Sequence, residues 1–238
     1  MQNINPNLSI NSLFCDFSVQ DSIRECADKI KNDLKAIDLL INNAGVVNTE
    51  YSETIDGIEN TFAVNHLGYF LFTNLLLDLV KKESESRIIN VSSAAHHFVK
   101  GMQWDDINYK DDFKMGLKAY GQSKLGNILF TKQLAKKLQK DAVTVNAIHP
   151  GGVNTSLGNQ NNSLLGRVLK IILKPFFRSP LKGANTIIYL AEIDGLSITG
   201  AYWVDGRVAK TSHYSKNEAE AEKLWRLSEK LVNQEFDI

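Results

Sequence analysis

The chain has 238 residues, 43% of them hydrophobic and 23% charged, which is the composition of a globular protein with a substantial core. This excludes disordered, collagen-like and fibrous proteins. Lys plus Arg and Asp plus Glu number 27 each, so no net charge draws the protein to nucleic acid. Two cysteines, Cys15 and Cys26, are too few for a disulfide framework, and no Cys/His group has metal-ligand spacing. We predict one domain over residues 1–238 in a reducing, cytoplasmic compartment.

No secretory signal is visible in residues 1–9, and the longest uncharged stretch, residues 60–77, contains three Asn, two Thr and a His. That stretch predicts a buried helix and not a transmembrane segment. A basic segment follows later, with five positive charges and no acid among apolar residues 164–182. A solvated helix face is the default interpretation, and a lid over an apolar substrate or a peripheral membrane contact is the alternative.

Short apolar runs alternate along the chain with longer amphipathic runs, which is the pattern of βα units in a parallel sheet. Strands are predicted at residues 10–15, 37–42, 87–91, 143–148 and 201–204. Helices are predicted at residues 19–35, 55–82, 118–139, 181–192 and 217–233, where apolar residues recur three and four apart. Loop-rich stretches at 94–116 and 151–162 follow the carboxyl ends of strands, where doubly wound sheets bind ligands.

A Tyr and a Lys stand four residues apart, at Tyr120 and Lys124, so one face of the predicted helix carries both. An ammonium about 4 Å from a phenol, at an effective dielectric of roughly 20, favours the phenolate by about 4 kcal/mol. Before desolvation is subtracted, this lowers the pKa of the phenol by about three units, toward neutrality. An isolated pair of this spacing is more commonly an ordinary helix surface, so its context decides.

Polar and small residues follow three predicted strands. The sequence Asn-Asn-Ala-Gly occupies residues 42–45, the pair Ser92 and Ser93 ends the next strand, and Pro150 and Gly151 end a third. Asn65 lies within an apolar helix, where a bare amide is costly unless it has partners.

Taken in this order and at this spacing, these features resemble the short-chain dehydrogenase/reductase family. Its retinol-dehydrogenase-like branch is indicated by NVSSAAHH at 90–97, AYGQSKLGNILFTKQLAKKL at 119–138, HPGGVNT at 149–155 and SPLKGANTIIYLA at 179–191. The resemblance implies a doubly wound, Rossmann-like parallel sheet. It also implies an oxidoreductase that transfers a hydride between NAD or NADP and an alcohol or carbonyl, with a homodimer formed through the helices at 55–82 and 118–139.

The same resemblance assigns the site residues. Tyr120 would exchange a proton with the substrate, and Lys124 would lower its pKa and bind the cofactor ribose. Ser93, chosen over Ser92, would hold the substrate oxygen, and Asn65 would hold a water that links Lys124 to solvent, although an Asn at such a position is more commonly a packing residue. The cofactor would contact Asp16, Asn42, Ala44, Gly45, Pro150, Gly151, Val153 and Thr155. The aromatic residues Phe98, Trp104, Phe176 and Phe177 suggest an apolar substrate, and His96 and His97 are predicted to be surface loop residues.

The glycine-rich turn that receives the cofactor pyrophosphate in this family has no counterpart, because the first glycine is Gly45 and Gly-x-x-x-Gly-x-Gly occurs nowhere. Aligned on the resemblance, the sequence begins near the third strand of the family and lacks the opening βαβα portion. The strand at 37–42 would then be an open edge. Pairing with the segment at 10–15, completion by another chain, or a truncated sequence would account for this, and we favour truncation. A non-catalytic remnant that binds a partner is the alternative function.

Overall fold

The computed structural model describes residues 9–151 and 179–238, which form a Rossmann-like α/β fold as expected. The strands are β1 (Leu39–Asn42), β2 (Ser86–Val91), β3 (Val143–His149), β4 (Tyr202–Val204) and β5 (Arg207–Val208). The helices are α1 (Gln20–Asp33), α2 (Asn60–Phe62), α3 (Gly68–Val80), α4 (Leu117–Lys137), α5 (Pro180–Glu192) and α6 (Glu218–Leu231). The sheet order β1-β2-β3-β4-β5 follows the chain; β1 to β4 are parallel and β5 is antiparallel to β4.

The two faces of the sheet are covered by different helices, because side chains alternate along each strand. Ile88 and Val145 pack into the larger core, which includes residues of α1, α3, α4 and α6. Their neighbours Ile89 and Ile148 pack on the other face with Leu190 of α5. Since all parallel strands run the same way, the carboxyl ends of β1, β2 and β3 meet at one edge of the sheet, where the candidate site lies.

The helix predicted at 55–82 begins five residues later than expected. Glu59 caps α2, since its carboxylate accepts hydrogen bonds from the backbone N–H groups of Thr61 and Phe62 at 2.8 and 2.7 Å. A single π-helical turn, Ala63–Leu67, joins α2 to α3. The run Asn60–Val80 is long and apolar enough to cross a membrane, but 83% of its apolar 18-residue window is buried inside the protein. It is therefore a core helix here, as the sequence predicts.

An aromatic cluster of Phe70 (α3), Phe130 (α4) and Trp225 (α6) fastens α6 onto the other two helices. The ring centroids lie 4.9 Å apart for Phe70 and Trp225 and 5.9 Å apart for Phe130 and Trp225. Ten of the 13 residues of α3 and 15 of the 21 residues of α4 are buried within the one chain. The homodimer expected through these two helices stays a prediction.

The predicted strand at residues 10–15 is wrong. The segment forms no strand and pairs with no other, and Ile10 and Phe14 are 66% and 83% exposed. The apolar residues there do not alternate in the period of two that would bury one face of a strand. Consequently β1 is an edge strand among the described residues, with Ile41 39% exposed, and the proposed pairing of segment 10–15 with it does not occur.

Candidate active site

Helix α4 begins at a glycine that no other residue could replace without strain. Gly116 has φ +68°, and a Cβ on it would stand 1.9 Å from the backbone oxygen of Asn48, in the loop after β1. This contact fixes the start of α4 against that loop. Tyr120 and Lys124, one and two turns further on, are thereby directed to the carboxyl ends of the strands.

Lys124 is buried, with 3% of its surface exposed. Its ammonium donates a hydrogen bond to the backbone oxygen of Val91 at 3.0 Å, and its Nζ lies 5.7 Å from the centre of the Tyr120 ring. Burial lowers the pKa of Lys124 to about 7 because the low-dielectric surroundings disfavour its charged form. Near neutral pH this amine can therefore both hold and release a proton.

Tyr120 differs from the expectation in its electrostatics. Burial raises the pKa of Tyr120, and a hydrogen bond with the Ser93 side chain lowers it by less. The expected lowering of this pKa by Lys124 is wrong for this structure, because the loss of solvation outweighs the hydrogen bond with Ser93. Tyr120 is thus a protonated phenol at neutral pH, poised to donate.

The two serines after β2 have different surroundings. Ser92 is 2% exposed, and its hydroxyl donates to the backbone oxygen of Lys124 at 2.7 Å, which ties β2 to α4. The Ser93 hydroxyl accepts a hydrogen bond from the N–H of Ala95 at 3.1 Å and also bonds the side chain of Tyr120. The structure thus brings Ser93, and not Ser92, to the phenol.

Asn65 lies in the π-helical turn and is fully buried. Its amide oxygen accepts from the N–H of Val46 at 2.8 Å, and its amide nitrogen donates to the Val46 carbonyl at 2.9 Å and to the Ser123 hydroxyl at 3.0 Å. The side chain therefore clamps the loop after β1 to α4. These bonds use both amide donors and one lone pair of the oxygen, so a relay water would need the remaining lone pair or the backbone of the turn.

The predicted cofactor residues of the first loop divide into structural and accessible ones. The Asn42 side chain is 2% exposed and donates to Thr73 and Asn90, so it stabilises the interior. The backbone oxygen of Ala44 accepts a hydrogen bond from a buried tyrosine at 2.7 Å. A Cβ on Gly45 would stand 3.3 Å from the amide oxygen of Asn65 and 3.7 Å from Nζ of Lys124, so only a glycine leaves this cradle open.

The remaining predicted cofactor residues are more scattered. Asp16 is exposed and accepts from the backbone and side chain of Ser18 just before α1. Pro150 and Gly151 directly follow β3, at the same edge of the sheet as Ser93. Val153 and Thr155 lie outside the described residues, as do Phe176 and Phe177. Among the described residues no three His, Cys, Asp or Glu side chains form a group that could hold a metal.

The two described aromatic residues that were expected near the substrate, Phe98 and Trp104, lie in different places. Phe98 is 60% exposed and lies beside the site: a Cβ added to Gly121, the residue after Tyr120, would stand 3.2 Å from the Cβ of Phe98. Trp104 packs instead on α6, where its indole N–H donates to Glu220 at 2.9 Å. Trp104 is therefore removed from the expected substrate surface.

Sequence reasoning also missed His96. The expectation of a surface residue holds for His97, which is exposed, and is wrong for His96, which is fully buried. A five-residue 3-10 turn, Ala94–Phe98, has no helical or strand period from which burial could be read. The only available signal was its position three residues after Ser93.

Comparisons with known proteins agree with this geometry. A short-chain dehydrogenase family model described as enoyl-(acyl carrier protein) reductase matches residues 2–206. The chain belongs to the short-chain dehydrogenase/reductase family. It is 41% identical over 216 residues to retinol dehydrogenase 14 of Mus musculus and 41% identical over 235 residues to retinol dehydrogenase 13 of Homo sapiens. These alignments cover 89% and 96% of this chain, and the chain spans 64% and 70% of the length of those relatives.

Solved structures give the same fold. A crystal structure of an uncharacterised protein from Mycobacterium paratuberculosis superposes with a TM-score of 0.72 at 30% identity, covering 94% of this chain and 76% of that one. The Pseudomonas aeruginosa RhlG/NADP active-site complex superposes with a TM-score of 0.59 at 26% identity, covering 79% and 72%. The second of these proteins was solved with NADP.

Proposed function

We propose that this protein is an NAD(P)-dependent oxidoreductase that interconverts an apolar alcohol and its carbonyl. The observation that carries the proposal is the meeting of Ser93, Tyr120 and a buried Lys124 at the carboxyl ends of β2 and β3. Membership of a family that includes retinol dehydrogenases supports it. The same comparisons favour an enzyme over the partner-binding remnant.

The residues present fit the nicotinamide ribose of a dinucleotide on this side of the sheet, although the sequence has no glycine-rich turn for its pyrophosphate. The Lys124 ammonium has three donor positions, of which the Val91 carbonyl takes one among the described residues, so two remain for ribose hydroxyls. Gly45 leaves room beside that amine. Both NAD and NADP are compatible with these contacts, and a similar protein was solved with NADP. When bound, the nicotinamide supplies or accepts the hydride.

The chain's own groups handle the proton. Ser93 would hold the substrate oxygen beside Tyr120, and the protonated phenol would donate its proton to the carbonyl oxygen as the alcohol forms. The raised pKa leaves Tyr120 as a phenol near neutral pH, which is the form that carbonyl reduction uses. An apolar substrate would lie against the exposed ring of Phe98.

Fluorescence titration with NADH and NADPH, followed by turnover of a long-chain apolar aldehyde, tests the proposal. We expect saturable binding and turnover in the wild type. Tyr120→Phe should lower kcat by roughly 10²- to 10⁴-fold and leave dinucleotide affinity unchanged, because it removes only the exchanging proton. Tyr214→Phe, at an exposed tyrosine, is the matched control. Near-normal turnover of Tyr120→Phe would refute the assignment.

The pH dependence of alcohol oxidation and of carbonyl reduction tests the protonation state given to Tyr120. At saturating dinucleotide, alcohol oxidation requires the phenolate and should rise up to about tenfold per pH unit below the pKa of Tyr120. Carbonyl reduction uses the phenol and should stay level over the same range. The opposite pattern would contradict the role given to Tyr120.

A cytoplasmic protein with peripheral membrane contact through the basic segment 164–182 remains our prediction, but residues 164–178 of that segment lie outside the described residues. Sedimentation with anionic lipid vesicles at low and at high salt tests the membrane contact. Absence of binding at both salt concentrations would exclude it.

A further inference from the structure

His96 joins two parts of the chain that are far apart in sequence. It is fully buried in the turn that follows Ser93. Its Nδ1 lies 2.6 Å from the backbone oxygen of Ser93, and its Nε2 lies 3.1 Å from the backbone nitrogen of Ser212. The ring also packs edge-on against Tyr202 of β4, with the centroids 5.2 Å apart.

The two partners determine the protonation state of the ring. A backbone N–H can only donate, so Nε2 of His96 accepts from Ser212 and carries no proton. The proton of the neutral imidazole therefore sits on Nδ1 and is donated to the Ser93 carbonyl. Burial lowers the pKa of His96 to about 4, which keeps this neutral form at physiological pH.

The bond from His96 closes the turn around Ser93. The Ser93 carbonyl accepts from both the ring and the backbone N–H of His96, and the Ser93 hydroxyl accepts from the N–H of Ala95. With that N–H occupying one lone pair, the hydroxyl proton of Ser93 is free to point at Tyr120. The direction of the hydroxyl thus depends on how the turn is held.

We propose that His96 is a positioning residue that holds the Ser93 hydroxyl toward Tyr120 and anchors the segment at Ser212 to the same turn. The proposal rests on the proposed function, because Ser93 and Tyr120 act in that reaction. A residue that merely filled the core would need the shape of the ring alone. A positioning residue needs the Nδ1 donor, and the anchor needs the Nε2 acceptor.

Three substitutions separate these parts. His96→Asn keeps an N–H donor near the Nδ1 position, for the Ser93 carbonyl, and loses the acceptor for the Ser212 N–H. His96→Gln places its oxygen near the Nε2 position, so it keeps the acceptor for Ser212 and loses the donor to Ser93. His96→Phe keeps the ring shape and loses both. His97→Gln, at the adjacent exposed histidine, is the matched control. Steady-state kinetics, hydrogen exchange of the Ser212 amide and the ¹³Cζ signal of Tyr120 are measured for each, with that signal assigned through its loss in Tyr120→Phe.

We expect His96→Phe to lower kcat on the order of 10- to 100-fold at unchanged dinucleotide affinity, since misplacing one group that holds the substrate costs this much. His96→Asn should restore kcat to within about threefold while the Ser212 amide exchanges at least about tenfold faster. His96→Gln should lower kcat as His96→Phe does, while its Ser212 amide exchanges at close to the wild-type rate. The Tyr120 signal should shift in His96→Phe and His96→Gln, which lose the Ser93 bond, and not in His96→Asn.

The Tyr120 signal and the Ser212 exchange do not depend on turnover. If the wild type turns over no carbonyl, the proposed function fails, and these two measurements still decide the positioning role. An unmoved Tyr120 signal in His96→Phe would overturn it, as would near-normal kcat in His96→Phe together with losses in the Asn and Gln variants, which would indicate a requirement for the shape of the ring alone.

Discussion

Acidification from pH 7 to pH 5 should destabilise this protein through two buried histidines. His66 and His96 are both fully buried, and burial lowers the pKa of each from 6.5 to about 4. Between pH 4 and pH 6.5 these two histidines bind protons in the unfolded chain and stay neutral in the folded protein. The free energy of unfolding therefore rises with pH in this window: the contribution is complete above about pH 6.5 and is lost as the pH falls toward 4.

The magnitude follows from these pKa values. At pH 5 an unfolded histidine is almost wholly protonated and the folded one almost wholly neutral, which costs about 2 kcal/mol per residue relative to pH 7. The pair accounts for about 4 kcal/mol, a large share of the roughly 5 to 15 kcal/mol that stabilises a typical domain. Lys124 acts in the same direction, but mostly above pH 7.

Urea unfolding followed by tryptophan fluorescence at pH 7, 6 and 5 measures this loss. His66→Gln and His96→Gln should each lower stability at pH 7, because each loses the packing of a buried ring and the Ser93 carbonyl also loses its bond from His96, and each should remove about half of the pH dependence. His97→Gln, at an exposed position, should leave the dependence unchanged. The reasoning is refuted if the wild type is equally stable at pH 7 and pH 5, or if the variants keep its full slope.

Three further predictions concern the site and its support. Lys124→Met should raise the free energy of unfolding at pH 7 by about 2 to 4 kcal/mol and abolish turnover, because it removes a buried ammonium; a destabilised variant in the same urea assay would contradict this. Gly116→Ala should cost well over 2 kcal/mol, whereas Gly57→Ala, with a similar positive φ of +74° and no atom within 4 Å, should cost only about 1 kcal/mol; equal costs would mean that strain and not the close contact decides. Trp225→Ala should cost about 3 to 5 kcal/mol by thermal or urea melting, and a loss below about 1 kcal/mol would show that α6 contributes little.

Much of this fold could be read from the sequence, because its strands and helices carry strong patterns. The apolar strand at 87–91 and the long amphipathic helix at 118–139 match β2 and α4 closely. The approach of Ser93 to Tyr120 was implied by the family resemblance, and the structure brings the two side chains together. Composition alone could not show that segment 10–15 stays outside the sheet, since a strand needs a partner edge as well as apolar residues.

The electrostatics of the site could not be read in the same way. Spacing placed Lys124 near Tyr120, but the solvation that both lose depends on every element packed around them. The clamp of Asn65 on Val46 depends on a π-helical turn that no sequence pattern announces. His96 was missed for a related reason, because its burial comes from a segment over one hundred residues away.

The aromatic cluster has a consequence for biosynthesis. Phe70 and Phe130 leave the ribosome long before Trp225, so two neighbouring apolar helices must wait for the last helix to cover them. During that interval the nascent chain exposes the surface that later forms its core, which makes it a target for chaperones and a source of aggregates. A premature stop codon before α6 would leave the apolar surface of α3 and α4 permanently uncovered. The yield of soluble protein should therefore depend on the final helix as much as on the catalytic half of the chain.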